Sequence, residues 1–160
     1  MSEKVSPKNF WYDFPNYVNY GQGDKKNNIM KNMNDLIYEP WSPFNSHTMQ
    51  EVFLFCASYA YARKLDPKKP PSASNGMPGT RFRNDGIINL MKAIAIDSTQ
   101  KIETAINAKE VVKICESYAY PGFLHIFDEI VKLNKDGKSS IEILEILIRD
   151  CQKNKKDLNE

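Results

Sequence analysis

Metal ligands, redox motifs and long apolar runs are what this chain has least of. Its two histidines, His47 and His125, stand apart, whereas a metal site needs several convergent donors. No metal is expected, and His125, between Leu124 and Ile126, reads as a partly buried structural histidine. The three cysteines, Cys56, Cys115 and Cys151, each fall in an apolar helical pattern, and none forms a CxxC pair. They read as reduced core thiols, which sets the cytoplasm as the expected compartment. A Cys115–His125 nucleophile pair is disfavoured, because reactive thiols want an electropositive, partly open setting. The longest apolar run, Val52 to Ala57, is far short of the roughly 20 residues that span a bilayer. The start, MSEKVSPKNF, has an acid and no apolar h-region, so no signal peptide is expected. Neither GxxxxGK[S/T] nor GxGxxG occurs, so no phosphate cradle of those kinds and no cofactor is expected.

What is present is unevenly spread. Net charge is +2 overall, but residues 63–101 carry eight basic and three acidic side chains. A local excess of this kind is what an anionic partner feels. Most of it lies in RKLDPKKPPSASNGMPGTRFRNDG (63–86), with Arg63, Lys64, Lys68, Lys69, Arg81 and Arg83 against Asp66 and Asp85. A loop of this length inside a compact domain is usually functional or disordered. Three readings stay open: phosphate contacts along a nucleic-acid backbone, a solvated surface loop, or docking onto an acidic subunit.

The elements read as helical. Ile29, Met30, Met33, Leu36 and Ile37 keep helical spacing. Thr48-x-x-Glu51 opens a run from Met49 to Ala62 that is apolar on nearly all faces, the mark of a central helix. Asn84 or Asp85 caps a helix carrying Ile87, Ile88, Met91, Ile94 and Ala95, and a short piece follows at Ile102 to Ile106. Asn107-x-x-Glu110 opens the next helix, which Pro121-Gly122 is expected to stop or sharply kink. Helical spacing resumes from Phe123, Gly137 suits a C-terminal cap, and Ser139-x-x-Glu142 opens the last helix. The expected fold is all-α: a compact bundle of five to seven helices with one long Pro/Gly-rich basic loop. A small two-stranded element within 63–86 is the one β feature allowed for, near Thr80 to Arg83. The expected organisation is an irregular aromatic arm at 1–24, a single helical domain at 25–153 and a frayed tail at 154–160.

The arm holds Phe10, Trp11, Tyr12, Phe14, Tyr17 and Tyr20 with no regular period. So many aromatics left in water would be a liability, so they dock on their own domain, on a partner protein, or on unpaired bases. Two windows, EVFLFCASYAY (51–61) and EVVKICESYAY (110–120), are identical at seven of eleven positions. Their flanks share nothing, which argues against a duplication. They read as facing or neighbouring core helices, with each tyrosine hydroxyl finding a polar partner. Glu116, Asp128 and Glu129 read as a solvated face.

Several of these segments carry a family likeness. FNSHTMQEVFLFCASYAYARK (44–64), IINLMKAIAIDSTQKIE (87–103), KICESYAYPGFLHIFDEI (113–130) and a terminal apolar helix together resemble the small accessory proteins of DNA phosphorothioation (Dnd) modification and restriction systems, Dnd system-associated protein 4. The likeness covers about 44–150. It rests on packing patterns and brings no catalytic residues, so the chain is not expected to be an enzyme. It implies an accessory subunit of a DNA-modification-based defence system, binding double-stranded DNA, protein subunits of such a complex, or both. On that reading the six basic residues of 63–83 touch phosphates and the arm aromatics dock on a subunit. The alternative is a protein-interaction or regulatory module with no nucleic-acid contact.

Overall fold

The helix with no polar face sits at the centre. In the computed structural model, which describes residues 7–156 and their side chains from Phe10 to Lys153, helix α3 runs Met49–Ala62. Thr48 and Glu51 close the expected capping box: the Thr48 hydroxyl accepts the Glu51 N–H (3.3 Å), and the Glu51 carboxylate accepts the Thr48 N–H (2.8 Å). Val52, Phe53, Leu54, Cys56, Ala57, Tyr59 and Ala60 are all buried, on every side of the helix. Around it stand α1 (Pro7–Tyr12), α2 (Ile29–Tyr38), α4 (Asp85–Thr99), α5 (Ala108–Lys135) and α6 (Ser140–Lys156). The architecture is all-α, with six helices among the described residues. No helix among those residues is long and apolar enough to cross a membrane.

The cap signals lie where the sequence puts them. The Asn84 carboxamide oxygen accepts the N–H groups of Gly86 and Ile87, and that of Asn107 accepts the Glu110 N–H. Ser139 and Glu142 form a second reciprocal pair at α6. Gly137, at φ +82°, follows the end of α5 in the left-handed conformation that glycine adopts without cost. Ile102–Ile106 is a 3₁₀ turn.

One stop signal is overruled. Helix α5 continues through Pro121 for 28 residues. Proline lacks an N–H, so the carbonyl four residues earlier, on Ser117, loses its intrahelical donor. The Lys68 N–H replaces it at 2.8 Å. Gly122 then solves the packing. A Cβ there would stand 2.2 Å from the Cys56 carbonyl oxygen and 3.1 Å from the Ala60 Cβ. Helices α3 and α5 therefore touch backbone to backbone, and α3 packs more extensively on α5 than on any other element. The two tyrosine windows face each other across this contact. Tyr61 of the first meets Tyr118 of the second edge to face, 5.4 Å between centroids. Not every hydroxyl finds a partner, however: the buried Tyr59 hydroxyl has none.

The described part of the 1–24 arm, from Pro7 onward, is structured and belongs to the same core. It forms α1 and a strand β1 (Tyr17–Val18), and Phe10, Val18 and Tyr20 are buried with the helical residues. The β element also falls elsewhere than near Thr80. Strand β2 (Met77–Pro78) pairs antiparallel with β1, Val18 opposite Met77, while Gly79–Phe82 is a 3₁₀ turn. The last residues of the chain, 157–160, and Met1 to Ser6 lie outside the described residues. Residues 154–156 of the expected tail continue α6.

Candidate functional site

The long basic segment is a strap rather than a free loop. Its start is tied by the Leu65 N–H to the Ala60 carbonyl (2.9 Å), its middle by Lys68 to Ser117, and its end by the Gly79 N–H to the Asn16 carbonyl (2.7 Å). Pro70 is buried, and the Pro71 carbonyl accepts the Asn19 carboxamide at 2.9 Å. Proline fits such a segment, since it fixes φ and asks for no donor partner.

The strap crosses one face of α5. Lys113, Glu116, Ser117 and Tyr120 follow the i, i+3, i+4, i+7 spacing that aligns side chains on that face. The β1 segment closes over it from the other side. The Glu116 carboxylate accepts the Asn19 N–H at 2.8 Å. The Tyr120 hydroxyl donates to the Asp24 carboxylate at 2.5 Å. Asn27 also donates to Asp24, from its side chain (2.7 Å) and its backbone (3.0 Å). The Asn27 side-chain bond, then the Tyr120 bond, hold the Asp24 carboxyl below its ordinary range. Lys68 places its ammonium 5.9 Å from the Tyr120 ring centroid.

Glu116 departs from the solvated face expected of it. It is half-buried, and burial pushes its carboxyl up to about 7, against the pull of the Asn19 hydrogen bond and of Lys113 and Lys69. Neither lysine forms an ion pair with it within 4 Å among the described residues. Glu116, Lys69, Lys113, Pro70 and Ser72 line a cavity of about 280 Å³ between strap and helix.

The six expected phosphate contacts meet different parts of the domain. Arg63 is half-buried at the end of α3, where it donates to the Asp150 carbonyl on α6 (3.2 Å). Its Nε is buried without a partner. That residue fastens two helices and is not presented to solvent as a free cation. Lys64 is exposed just past α3. Lys68 and Lys69 are exposed on the strap over α5. Arg81 is exposed near Tyr38 and Thr48, and Arg83 lies over the Trp11 ring, 5.8 Å from its centroid. Lys113 is a member of this group that charge runs do not reveal: it lies 44 positions from Lys69, and only the fold brings the two together.

The arm aromatics divide as well. Phe10 and Tyr20 are each 6% exposed and serve this chain's own core. Trp11 and Phe14 pack against that core, with Phe14 6.1 Å from Phe82. Only Tyr12 and Tyr17 are exposed. The arm docks on its own domain, so at most two of its six aromatics face a partner.

Other candidate groups do not converge. The Cys115 thiol points at the Met91 carbonyl (3.6 Å), and burial pushes it up to about 12. Burial raises Cys56 as well. His125 is exposed, contrary to expectation, because it projects from α5 beside the Tyr59 ring, at 5.6 Å. Tyr118 instead meets Tyr61 and the Ser98 hydroxyl (3.4 Å). On a separate face, Phe44, Phe55, Leu144 and Ile148 line an apolar groove of about 300 Å³ rimmed by His47 and Glu51.

Comparison with protein-family models, with curated proteins and with solved structures returned no match to this chain.

Proposed function

We propose that the chain is a non-enzymatic accessory protein of a DNA-modification-based, phosphorothioation-type defence or restriction system, and that it binds double-stranded DNA. The resemblance over 44–150 supplies the setting. The observation that carries the DNA contact is the exposed Lys68–Lys69 pair, fixed by a backbone bond to α5 and joined there by Lys113. Lys69 and Lys113 line one cavity from two elements, Lys68 stands next to them on the strap by the Tyr120 ring, and cations placed this way follow phosphates without reading sequence. The non-enzymatic reading is supported by the raised thiols and by the separate surroundings of Tyr118 and His125.

Replacing Lys68, Lys69 and Lys113 together by glutamine is expected to weaken duplex binding roughly ten-fold or more at about 50 mM salt. It should also flatten the plot of log affinity against log salt by about 2 to 3, since each phosphate contact adds about 0.9 to that slope. Electrophoretic or anisotropy titrations across salt measure both. An unchanged affinity and slope sinks the DNA reading. Neutralising Arg81 and Arg83 in a second variant tests whether the rest of the basic segment contributes.

A second reading, a protein-interaction module with no nucleic-acid contact, is favoured by the groove at Phe44 and Phe55. Its lining residue Ile148 is 44% exposed, and Ile141, also on α6, is 70% exposed. Exposed apolar surface of this kind marks interaction sites. Ile148→Glu is expected to remove a co-purifying subunit while changing folding stability by no more than about 0.5 kcal/mol, as surface changes do. Retention of that subunit by the variant would count against the groove. Deleting residues 1–24 is the poorer test, because it removes Phe10, Val18 and Tyr20 from the core.

A further inference from the structure

The cavity under the strap has unspent recognition groups. Asn19 is committed: its carboxamide nitrogen donates to Pro71 and its oxygen accepts the Gly21 N–H. Ser117 is also committed, its hydroxyl donating to the Ile114 carbonyl at 2.6 Å. The other polar residues that line the cavity are Glu116, whose second carboxyl oxygen is not used by the Asn19 bond, Lys69, Lys113 and Ser72. Pro70 and the methylene stems of the two lysines supply apolar wall.

That set fixes the chemistry of an occupant. Two lysines against one carboxyl leave the cavity net positive, so a zwitterion such as a free amino acid would leave charge uncompensated. A phosphate monoester, carrying close to two negative charges at neutral pH, matches the lysine pair. The second Glu116 oxygen is free to accept a hydrogen bond, and amino groups on base edges are donors that carboxylates accept from. The apolar wall suits the flat body of a base. The volume, about 280 Å³, lies at the small end of ligand pockets and admits one nucleotide rather than a longer oligomer.

We propose that this cavity binds a single nucleotide bearing a terminal phosphate, with the phosphate on Lys69 and Lys113 and a base-edge N–H donating to Glu116. The inference rests on the DNA reading of the same surface and narrows it: a strand end, not only the duplex backbone, is recognised. All four free nucleotides offer an edge N–H, thymine through its ring N3–H, so the Glu116 contact sets a nucleotide above bare phosphate and does not by itself choose the base.

The test uses the full chain, titrated with the four deoxynucleoside monophosphates and with inorganic phosphate and followed by calorimetry or amide chemical shifts. At least one of the nucleotides is expected to bind ten-fold or more tightly than inorganic phosphate. Glu116→Gln keeps an oxygen for the Asn19 N–H and is expected to lose that ten-fold discrimination. Ser72→Trp, on the exposed strap, fills the cavity mouth and is expected to weaken nucleotide binding at least ten-fold. Nucleotides that bind no better than inorganic phosphate, or variants that bind them as the wild type does, overturn the proposal. Duplex titrations separate this proposal from the one beneath it. A triple-lysine variant that loses duplex DNA, beside a wild type that ignores mononucleotides, removes the pocket alone. Mononucleotide binding without any duplex binding supports the pocket and removes the duplex reading.

Discussion

Gly122→Ala is expected to destabilise the protein by about 3 kcal/mol, lowering the thermal midpoint by roughly 6 to 12 °C. In an ordinary helix interior the same change stabilises by about 1 kcal/mol, because alanine loses less backbone entropy. The sign reverses here because the new methyl group would lie 2.2 Å from the Cys56 carbonyl oxygen. That oxygen belongs to the backbone of the central helix and cannot rotate away as a side chain would. Gly137→Ala is the informative contrast. Nothing lies within 4 Å of a Cβ at that position, so only its positive φ resists alanine, at about 1 to 2 kcal/mol. Calorimetric melts of both variants measure the difference. A Gly122→Ala protein as stable as wild type would show that α3 and α5 do not cross as closely as described.

The second large effect is a pH dependence. The Glu116 carboxyl stands at about 7 in the folded chain against an ordinary 4.5. Below about pH 4.5 it is protonated in both the folded and unfolded states and favours neither. As pH rises from there to 7, the unfolded chain releases this proton before the folded chain does, so folding stability falls. Above 7 the full cost is present, about 3 kcal/mol. Glu116→Gln removes that cost and retains an acceptor for Asn19. Its stability advantage over wild type in urea unfolding is therefore expected to grow by that amount between pH 4.5 and 8. Asp24, Glu51 and Glu142 are shifted the other way, downward. They lend stability above their ordinary range in both proteins and cancel from the comparison. Parallel stability curves for the two proteins would show that Glu116 titrates as an exposed acid.

These two residues mark where the sequence could and could not be read. The helix starts were legible because a cap is local: Thr48 and Glu51, or Ser139 and Glu142, are three positions apart and need no other part of the chain. The buried face of α3 was legible for the same reason. Pro121 misled because its cost depends on whether the freed Ser117 carbonyl finds a donor, and that donor, Lys68, lies far off in a segment without periodicity. Glu116 misled because helical spacing puts it on a polar face, and what covers it is distant in sequence: the strap residues Pro70 and Ser72, and Asn19, 97 positions away. The arm aromatics admitted three docking surfaces, and composition could not choose among them. The basic segment was found from charge alone. That Lys69 lies beside Lys113, while Arg63 is spent on α6, follows from the tertiary fold.

The arm also has a consequence for how the chain is made. Strand β1 has no neighbour until Met77 and Pro78 have been synthesised, and Asn19 and Asp24 have none of their α5 partners until Glu116 and Tyr120 follow. The arm aromatics therefore leave the ribosome well before the segments that cover them. During that interval the nascent arm shows Phe10, Trp11 and Phe14 to whatever is near, the kind of exposure that invites chaperone capture or aggregation. The cavity under the strap is completed only when that wait ends, so its formation reports that the whole domain has closed.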